Sequence, residues 1–269
     1  VSRLQKTFVD ARAEGRTALI CYLMAGVPSP EDFVKMAVAC LEGGADVLEI
    51  GVPFSDPLAD GPVIQLAAVR ALENKVTPPM VMDMVRELRS RTDRPIVLMG
   101  YYNPIFRMGE ERFVDACRSA GADGLIVPDL PLHESASLRH TCQEKGLDLI
   151  QLTTPLTPDD RNSELVHATS GFLYLVTRTG VTGGGSVMTE DLRKMISRTR
   201  SVDLHVPLAA GFGISRPEQV RAARDMGADG VIVGSALVSL TLNGSSADDL
   251  KDTVRRLASA CDAERPRIQ

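Results

Sequence analysis

Three times in this chain the same triplet, at Gly44-Ala45-Asp46, Gly121-Ala122-Asp123 and Gly227-Ala228-Asp229, closes a helical run and opens a short apolar one. A glycine just past a helix supplies the left-handed residue that ends it, so each triplet reads as a helix C-cap followed by a strand. One junction repeated along a chain is the mark of repeated βα units, and it constrains the fold more than any other feature here. The alternation continues between the triplets. Strands are expected at 18–24, 46–50, 95–99, 124–127, 148–152, 172–176, 206–210 and 231–233. Helices are expected at 30–41, 62–73, 78–91, 110–119, 133–145, 159–168, 189–199 and 216–226, with further helix to about 262. No G-x-G-x-x-G follows the first strand, as it would in an open dinucleotide-binding sheet. The fold class is therefore α/β, with the whole of 1–269 forming one (β/α)8 TIM barrel domain, a size typical of that fold. Leu4, Phe8 and Ala11 stand at helical spacing and add an N-terminal helix within 1–14 that covers one end, while 263–269 reads as a polar tail.

In such a barrel the working groups lie at the C-terminal ends of the strands. One of those ends carries a charge: Glu49 interrupts the apolar run at 46–50, and Gly51 follows it at once. A carboxylate inside a strand buried on both faces is paired, surface-facing or functional. The loop beyond it holds Pro53, Pro57 and Pro62 with Asp56 and Asp60, which makes it stiff and shaped. Pro62 suits a first helical position, with Asp60 and Gly61 just outside it. Taken singly, Glu49 also fits a structural ion pair, Asp56 an Asx-turn and Asp60 a helix-flanking cap.

All four tyrosines, Tyr22, Tyr101, Tyr102 and Tyr174, fall on the same face, and Phe54 and Phe212 join them from loops two and seven. Singly each fits core packing; together they suggest an aromatic-lined pocket for a flat, apolar ligand. Glycine-containing turns follow strands seven and eight, at 209–215 and 233–236, where barrels often bind phosphate through backbone N–H groups. Loop six, 177–186, is rich in glycine and reads as an idle linker or a lid, its place on the catalytic face favouring the lid. No lysine falls at a strand's C-terminal end, so a Schiff base has no candidate, and the four histidines form no metal-ligand cluster. What remains is a metal-free, cofactor-free site run by carboxylates on a phosphorylated, partly aromatic substrate.

The net charge of −5 with scattered basic residues argues against a nucleic-acid surface. No stretch approaches the ~20 apolar residues of a membrane span, and no apolar signal core opens the sequence, so a cytoplasmic protein is expected. Five cysteines without a C-x-x-C pair fit reduced, buried thiols.

The segment LEIGVPFSDPLADGP at 48–62 resembles, residue for residue, the signature of the tryptophan synthase alpha subunit family. The likeness extends through YYNPIF at 101–106, VPDLP at 127–131, TGVTG at 179–183, GFGIS at 211–215 and Gly234-Ser235, and so covers nearly the whole chain. It implies retro-aldol cleavage of indole-3-glycerol phosphate to indole and glyceraldehyde 3-phosphate, with Glu49 and Asp60 as the catalytic carboxylates. By the same likeness Gly183, Gly213, Gly234 and Ser235 hold phosphate, Tyr22, Tyr101, Tyr174 and Phe212 form the substrate pocket, and Arg178 and Thr182 belong to the lid. It also implies an allosteric pyridoxal-phosphate beta subunit as partner in an α2β2 assembly, reached through Asp56, Phe54, Asn103 and Pro131, and no cofactor in this chain. The rims at 53–58 and 103–109 are expected to expose Phe54, Leu58, Ile105 and Phe106 toward it. A stand-alone indole-releasing lyase and a catalytically silent regulatory subunit are the alternatives. The chain departs from the family pattern at Val27, where many members carry Asp, and in the run Gly183-Gly184-Gly185.

Overall fold

The computed structural model describes residues 1–177, 185–211 and 213–263. Strands β1 (Ala18–Met24), β2 (Val47–Gly51), β3 (Ile96–Met99), β4 (Gly124–Ile126), β5 (Asp148–Thr153), β6 (Leu173–Val176), β7 (Leu208–Gly211) and β8 (Gly230–Val233) pair in sequence order, all parallel. β8 returns to β1, closing the expected barrel. In chain order the helices are α1 (Arg3–Ala13), α2 (Pro30–Glu42), α3 (Pro62–Glu73), α4 (Pro78–Arg89), α5 (Tyr102–Met108) and α6 (Glu110–Ala120). They continue as α7 (Ala136–Lys145), α8 (Asp159–Ala168), α9 (Gly185–Arg200), α10 (Pro217–Asp225), α11 (Ser235–Leu242) and α12 (Ala247–Ala258), with a 3₁₀ turn at Leu132–Glu134.

The repeated triplets do more than end helices. Gly44, Gly121 and Gly227 adopt φ of +108°, +97° and +95°, the left-handed region that a Cβ disfavours. The Asp that follows each is bound twice to the neighbouring odd-numbered strand. Asp46, Asp123 and Asp229 donate their backbone N–H to the carbonyls of Leu19, Ile96 and Leu208, and their carboxylates accept the N–H of those same residues at 2.8, 2.9 and 2.8 Å. Each carboxylate also holds two arginines: Arg16 and Arg94 at Asp46, Arg3 and Arg89 at Asp123, Arg12 and Arg200 at Asp229. Two charged partners and a backbone donor make burial of these carboxylates tolerable.

Helix α1 closes this N-terminal end of the barrel, as its spacing predicts. Ser2 caps it with its hydroxyl, and Leu4, Phe8 and Ala11 are its buried residues. Gly124 and Gly230, which open β4 and β8, have no room for a Cβ: it would stand 3.0 Å from Leu4 Cδ1 and 2.8 Å from Phe8 Cε1 respectively. Phe8 also lies 5.5 Å from the ring of Phe172. The five cysteines are buried, as expected, and Val27 is buried with the apolar core.

Differences from the sequence expectation are local. β3 and β7 begin after Pro95 and Pro207, because a proline offers no N–H to the ladder; each still accepts through its carbonyl, from Leu48 and Leu173. The stretch expected as a projecting rim, 103–109, is largely the helix α5. Its first N–H, from Tyr102, is taken by the Asp129 carboxylate at 2.9 Å. Helical geometry turns consecutive residues about 100° apart, so Phe106 is 67% exposed while Ile105 is fully buried, contrary to its expected exposure. Leu58 is exposed and Phe54 half-buried. The tail beyond residue 263 lies outside the described residues.

Candidate active site

A cavity of about 330 Å³ opens at the C-terminal end of the barrel. Its wall is built from strand ends and the turns that follow them: Tyr22 from β1, Glu49 from β2, Met99 from β3, Tyr174 from β6 and Ile232 from β8. Asp60 and the first residues of α3 complete one side, and Gly213, Gly234 and Ser235 the other. The wall is mostly apolar with a few convergent polar groups, which is the character of a small-molecule site.

Glu49 is 1% exposed and its Oε2 has no hydrogen-bond partner among the described residues. No cation among the described residues pairs with it, so the ion-pair alternative has no counterpart there. Burial, and then the nearby charge of Asp60, push the Glu49 carboxyl up to about 8. Asp60 is also raised, to about 6, by burial, with a hydrogen bond from Tyr101 opposing the rise. The pair is thus poised with one carboxyl protonated and one ionised at neutral pH, the pattern that separates an acid from an anion. Nor is Asp60 a side-chain cap: Gly61 occupies the N-cap of α3 and no side chain bonds there.

The tyrosines divide. Tyr22 and Tyr174 lie across Gly51 and Gly211, the terminal residues of β2 and β7; a Cβ on those glycines would stand 2.1 and 2.4 Å from the phenolic oxygens. Any larger residue there would evict the ring. Tyr101 is buried but is not part of the cavity lining; it reaches the site through its hydroxyl, which donates to Asp60 Oδ2 at 3.0 Å. Tyr102, expected in the pocket, instead turns to α6, donating to Glu110 Oε1 at 2.8 Å. Its N–H goes to Asp129, and its ring lies 6.0 Å from that of Phe106.

On the side expected to hold phosphate, Gly213 has φ +86° and Gly234 is the N-cap of α11 with no side-chain bond. The N–H groups of Ser235 and Ala236, the first two of α11, are not bonded within the helix, and both residues line the cavity. No basic residue lines the cavity among the described residues, so an anion there would be held by backbone donors and the helix terminus. The expected phosphate residue Gly183, the pocket residue Phe212 and the lid residues Arg178 and Thr182 lie outside the described residues. Asp56, Asn103 and Pro131 are exposed, around the same end of the barrel.

Sequence reasoning missed Met99, Ile232, Ile214 and the Val63-Ile64 start of α3 as lining residues. The signal was present for two of them. Met99 and Ile232 end or nearly end β3 and β8, the position that marks Tyr22 and Glu49.

Comparison with known proteins gives a consistent result. Residues 8–266 match the family model described as tryptophan synthase alpha chain. The tryptophan synthase alpha chain of Prochlorococcus marinus (strain MIT 9313) is 46% identical over 235 residues, spanning 87% of this chain and 85% of that protein. That of Methanosarcina barkeri (strain Fusaro / DSM 804) is 44% identical over 247 residues and 92% of both chains. Among solved structures, Mycobacterium tuberculosis tryptophan synthase in space group F222 superposes with a TM-score of 0.90 at 35% identity, covering 98% of this chain and 99% of that one.

Proposed function

The chain belongs to the tryptophan synthase alpha chain family, and we propose that Glu49 and Asp60 together run its chemistry. It is a lyase of tryptophan biosynthesis that cleaves indole-3-glycerol phosphate to indole and glyceraldehyde 3-phosphate. The observation that carries the assignment of roles is the buried Glu49 carboxyl, its Oε2 unpartnered among the described residues, lining a largely apolar cavity beside a second carboxylate.

Glu49, protonated at neutral pH, delivers its proton to C3 of the indole ring, which generates an iminium at C2 and N1. Asp60, ionised, accepts the indole N–H and stabilises that positive charge. The Glu49 carboxylate then takes the proton from the hydroxyl on the carbon attached to C3. The bond between the two carbons breaks, its electron pair restores the ring, and the hydroxyl becomes the aldehyde of glyceraldehyde 3-phosphate. One proton leaves Glu49 and one returns, so the residue ends as it began. The ring itself is the electron sink, and the cycle is complete without a cofactor in this chain.

Gly213, Gly234 and Ser235 receive the phosphate through backbone N–H groups, and Tyr22 and Tyr174 flank the ring. By family resemblance Gly183 joins the phosphate site, Phe212 the pocket, and Arg178 and Thr182 the closing loop. The family implies a beta subunit as partner, and the finer reading is an α2β2 assembly in the cytoplasm, with pyridoxal phosphate in the beta subunit. Exposed Asp56, Asn103 and Pro131, with half-buried Phe54, would meet it at the rim. The test is to give the purified chain indole-3-glycerol phosphate and quantify indole, alone and with a saturating beta subunit. Slow release that the partner accelerates is expected; an unchanged rate would assign the chain to a stand-alone lyase.

A further inference from the structure

Between the cavity and the outer rim stands a three-part arrangement centred on Tyr101. Its phenolic oxygen accepts the Ala59 amide at 3.0 Å and donates to Asp60 Oδ2 at 3.0 Å. The hydroxyl's one proton and one of its lone pairs are therefore committed to consecutive residues of a single loop. The ring that carries it is stacked on Phe54, with centroids 5.3 Å apart and planes 28° from parallel. Phe54 belongs to the same loop, which thus grips Tyr101 at both the ring and the hydroxyl. Asp60 itself has no side-chain cap bond to α3, and its backbone is tied by Pro57 O and by Gln65 Nε2 at 2.9 Å.

We propose that Tyr101 is a positioning residue for the lyase reaction: its hydroxyl, fixed by the Ala59 amide and by the stack on Phe54, holds the Asp60 carboxylate in its working orientation. This rests on the assignment of Asp60 to the indole N–H. A carboxylate that must meet a ring N–H in a largely apolar cavity gains from having one oxygen already bound, because the other is then aimed without a search through rotamers. The bond also favours the ionised form that the reaction needs. The titratable groups facing Asp60 are Glu49 from β2, Tyr22 from β1, Tyr174 from β6 and Tyr101 itself. No cation among the described residues pairs with it, so Tyr101 is the group that opposes the cost of burying its charge. Tyr102, next in the chain, cannot substitute, since its hydroxyl is engaged by Glu110.

Tyr101→Phe keeps the ring and its stack and removes only the hydroxyl. The expected result is a fall in kcat of about 10–100-fold, the range for losing a hydrogen bond to a charged group, with KM changed far less. The acid limb of the kcat profile should move to higher pH, because Asp60 then ionises less readily. A fluorinated tyrosine at 101, a stronger donor of the same shape, should move that limb the opposite way, which covers the case of a poorly folding Phe variant. In an Asp60→Asn background, Tyr101→Phe should add little, since both changes remove one function. A Tyr101→Phe enzyme with parental kcat and acid limb, alongside a crippled Asp60→Asn, would overturn the proposal and leave Asp60 in place. Fully multiplicative effects would overturn it too, by making Tyr101 act independently. A fully active Asp60→Asn would instead remove the assignment of Asp60 on which the proposal stands.

Discussion

At the scale of single residues, the proposed chemistry turns on two carboxyls held in different protonation states by one wall. Glu49 is raised to about 8 and Asp60 to about 6, each chiefly by burial. The proposed mechanism needs the first protonated and the second ionised, so kcat/KM should be bell-shaped in pH, with an acid limb near 6 and an alkaline limb near 8. Those midpoints are properties of the interacting pair. A pH profile lacking the alkaline limb would exclude Glu49 as the acid. Glu49→Gln should lower turnover by at least ~10²–10⁴-fold, as indole release would report, because one group serves two proton transfers. It should also change stability with a definite sign. A carboxyl raised from 4.5 to about 8 on folding stabilises below its unfolded value and loses that contribution as pH rises toward 8. Glutamine never ionises, so the variant should be more stable than the parent above pH 8, by on the order of a few kcal/mol. Urea titrations at pH 6 and 9 would show it. Glu49 was legible in the sequence as a charge in an apolar strand. The separate fates of Tyr101 and Tyr102 were not, because adjacent residues in identical company are told apart only by what their hydroxyls reach.

At the scale of elements, strand ends and the turns after them decide the pocket's shape. In the sequence Gly51 marks a strand end and Gly211 belongs to a turn, yet in the barrel they are the floor on which two tyrosine rings lie. Gly51→Ala therefore carries an unusual expectation for so small a change. Its methyl would stand 2.1 Å from the Tyr22 oxygen, and the ring must move. Fold and cooperativity should survive, since β2 keeps its pairing with β1 and β3. KM for indole-3-glycerol phosphate should rise several-fold, and steady-state kinetics on the purified variant would measure it. An unchanged KM would mean that Tyr22 does not shape the bound substrate's surroundings. α5 illustrates the opposite difficulty. Seven residues containing a proline give little periodicity to read, and the helix depends on a cap from Asp129, 27 positions away. A cap supplied across the fold leaves no local trace.

For the whole molecule, the two ends of the barrel have divided labour: charge clasps and the α1 plug at one, the cavity at the other. Asp123 lies at the first end, holding Arg3, Arg89 and the Ile96 amide. Asp123→Ala should cost about 3–5 kcal/mol, the range for breaking a buried charged pair, and should loosen α1 through Arg3. Folded enzyme should retain its kcat, because neither Asp123 nor its partners Arg3, Arg89 and Ile96 line the cavity. Thermal melting with activity measured below the transition would check both parts, and a loss of kcat matching the loss of stability would show that the ends are coupled. By itself the sequence determined the alternation of strands and helices, the closure into a barrel and the plug helix, and it singled out the two carboxylates that line the cavity. Those features rest on local rules: hydrophobic period, glycine at helix ends, and a long ungapped motif. Only the tertiary structure decided that the aspartate of each Gly-Ala-Asp triplet clasps a neighbouring strand between two arginines. It alone placed Ile105 inside, and it alone separated the tyrosine lining the pocket from the one holding Asp60 and the one turned away. Each of these depends on which distant groups the closing barrel brings within about 3 Å, and that distance is set by the register of eight strands at once rather than by any neighbour in the chain.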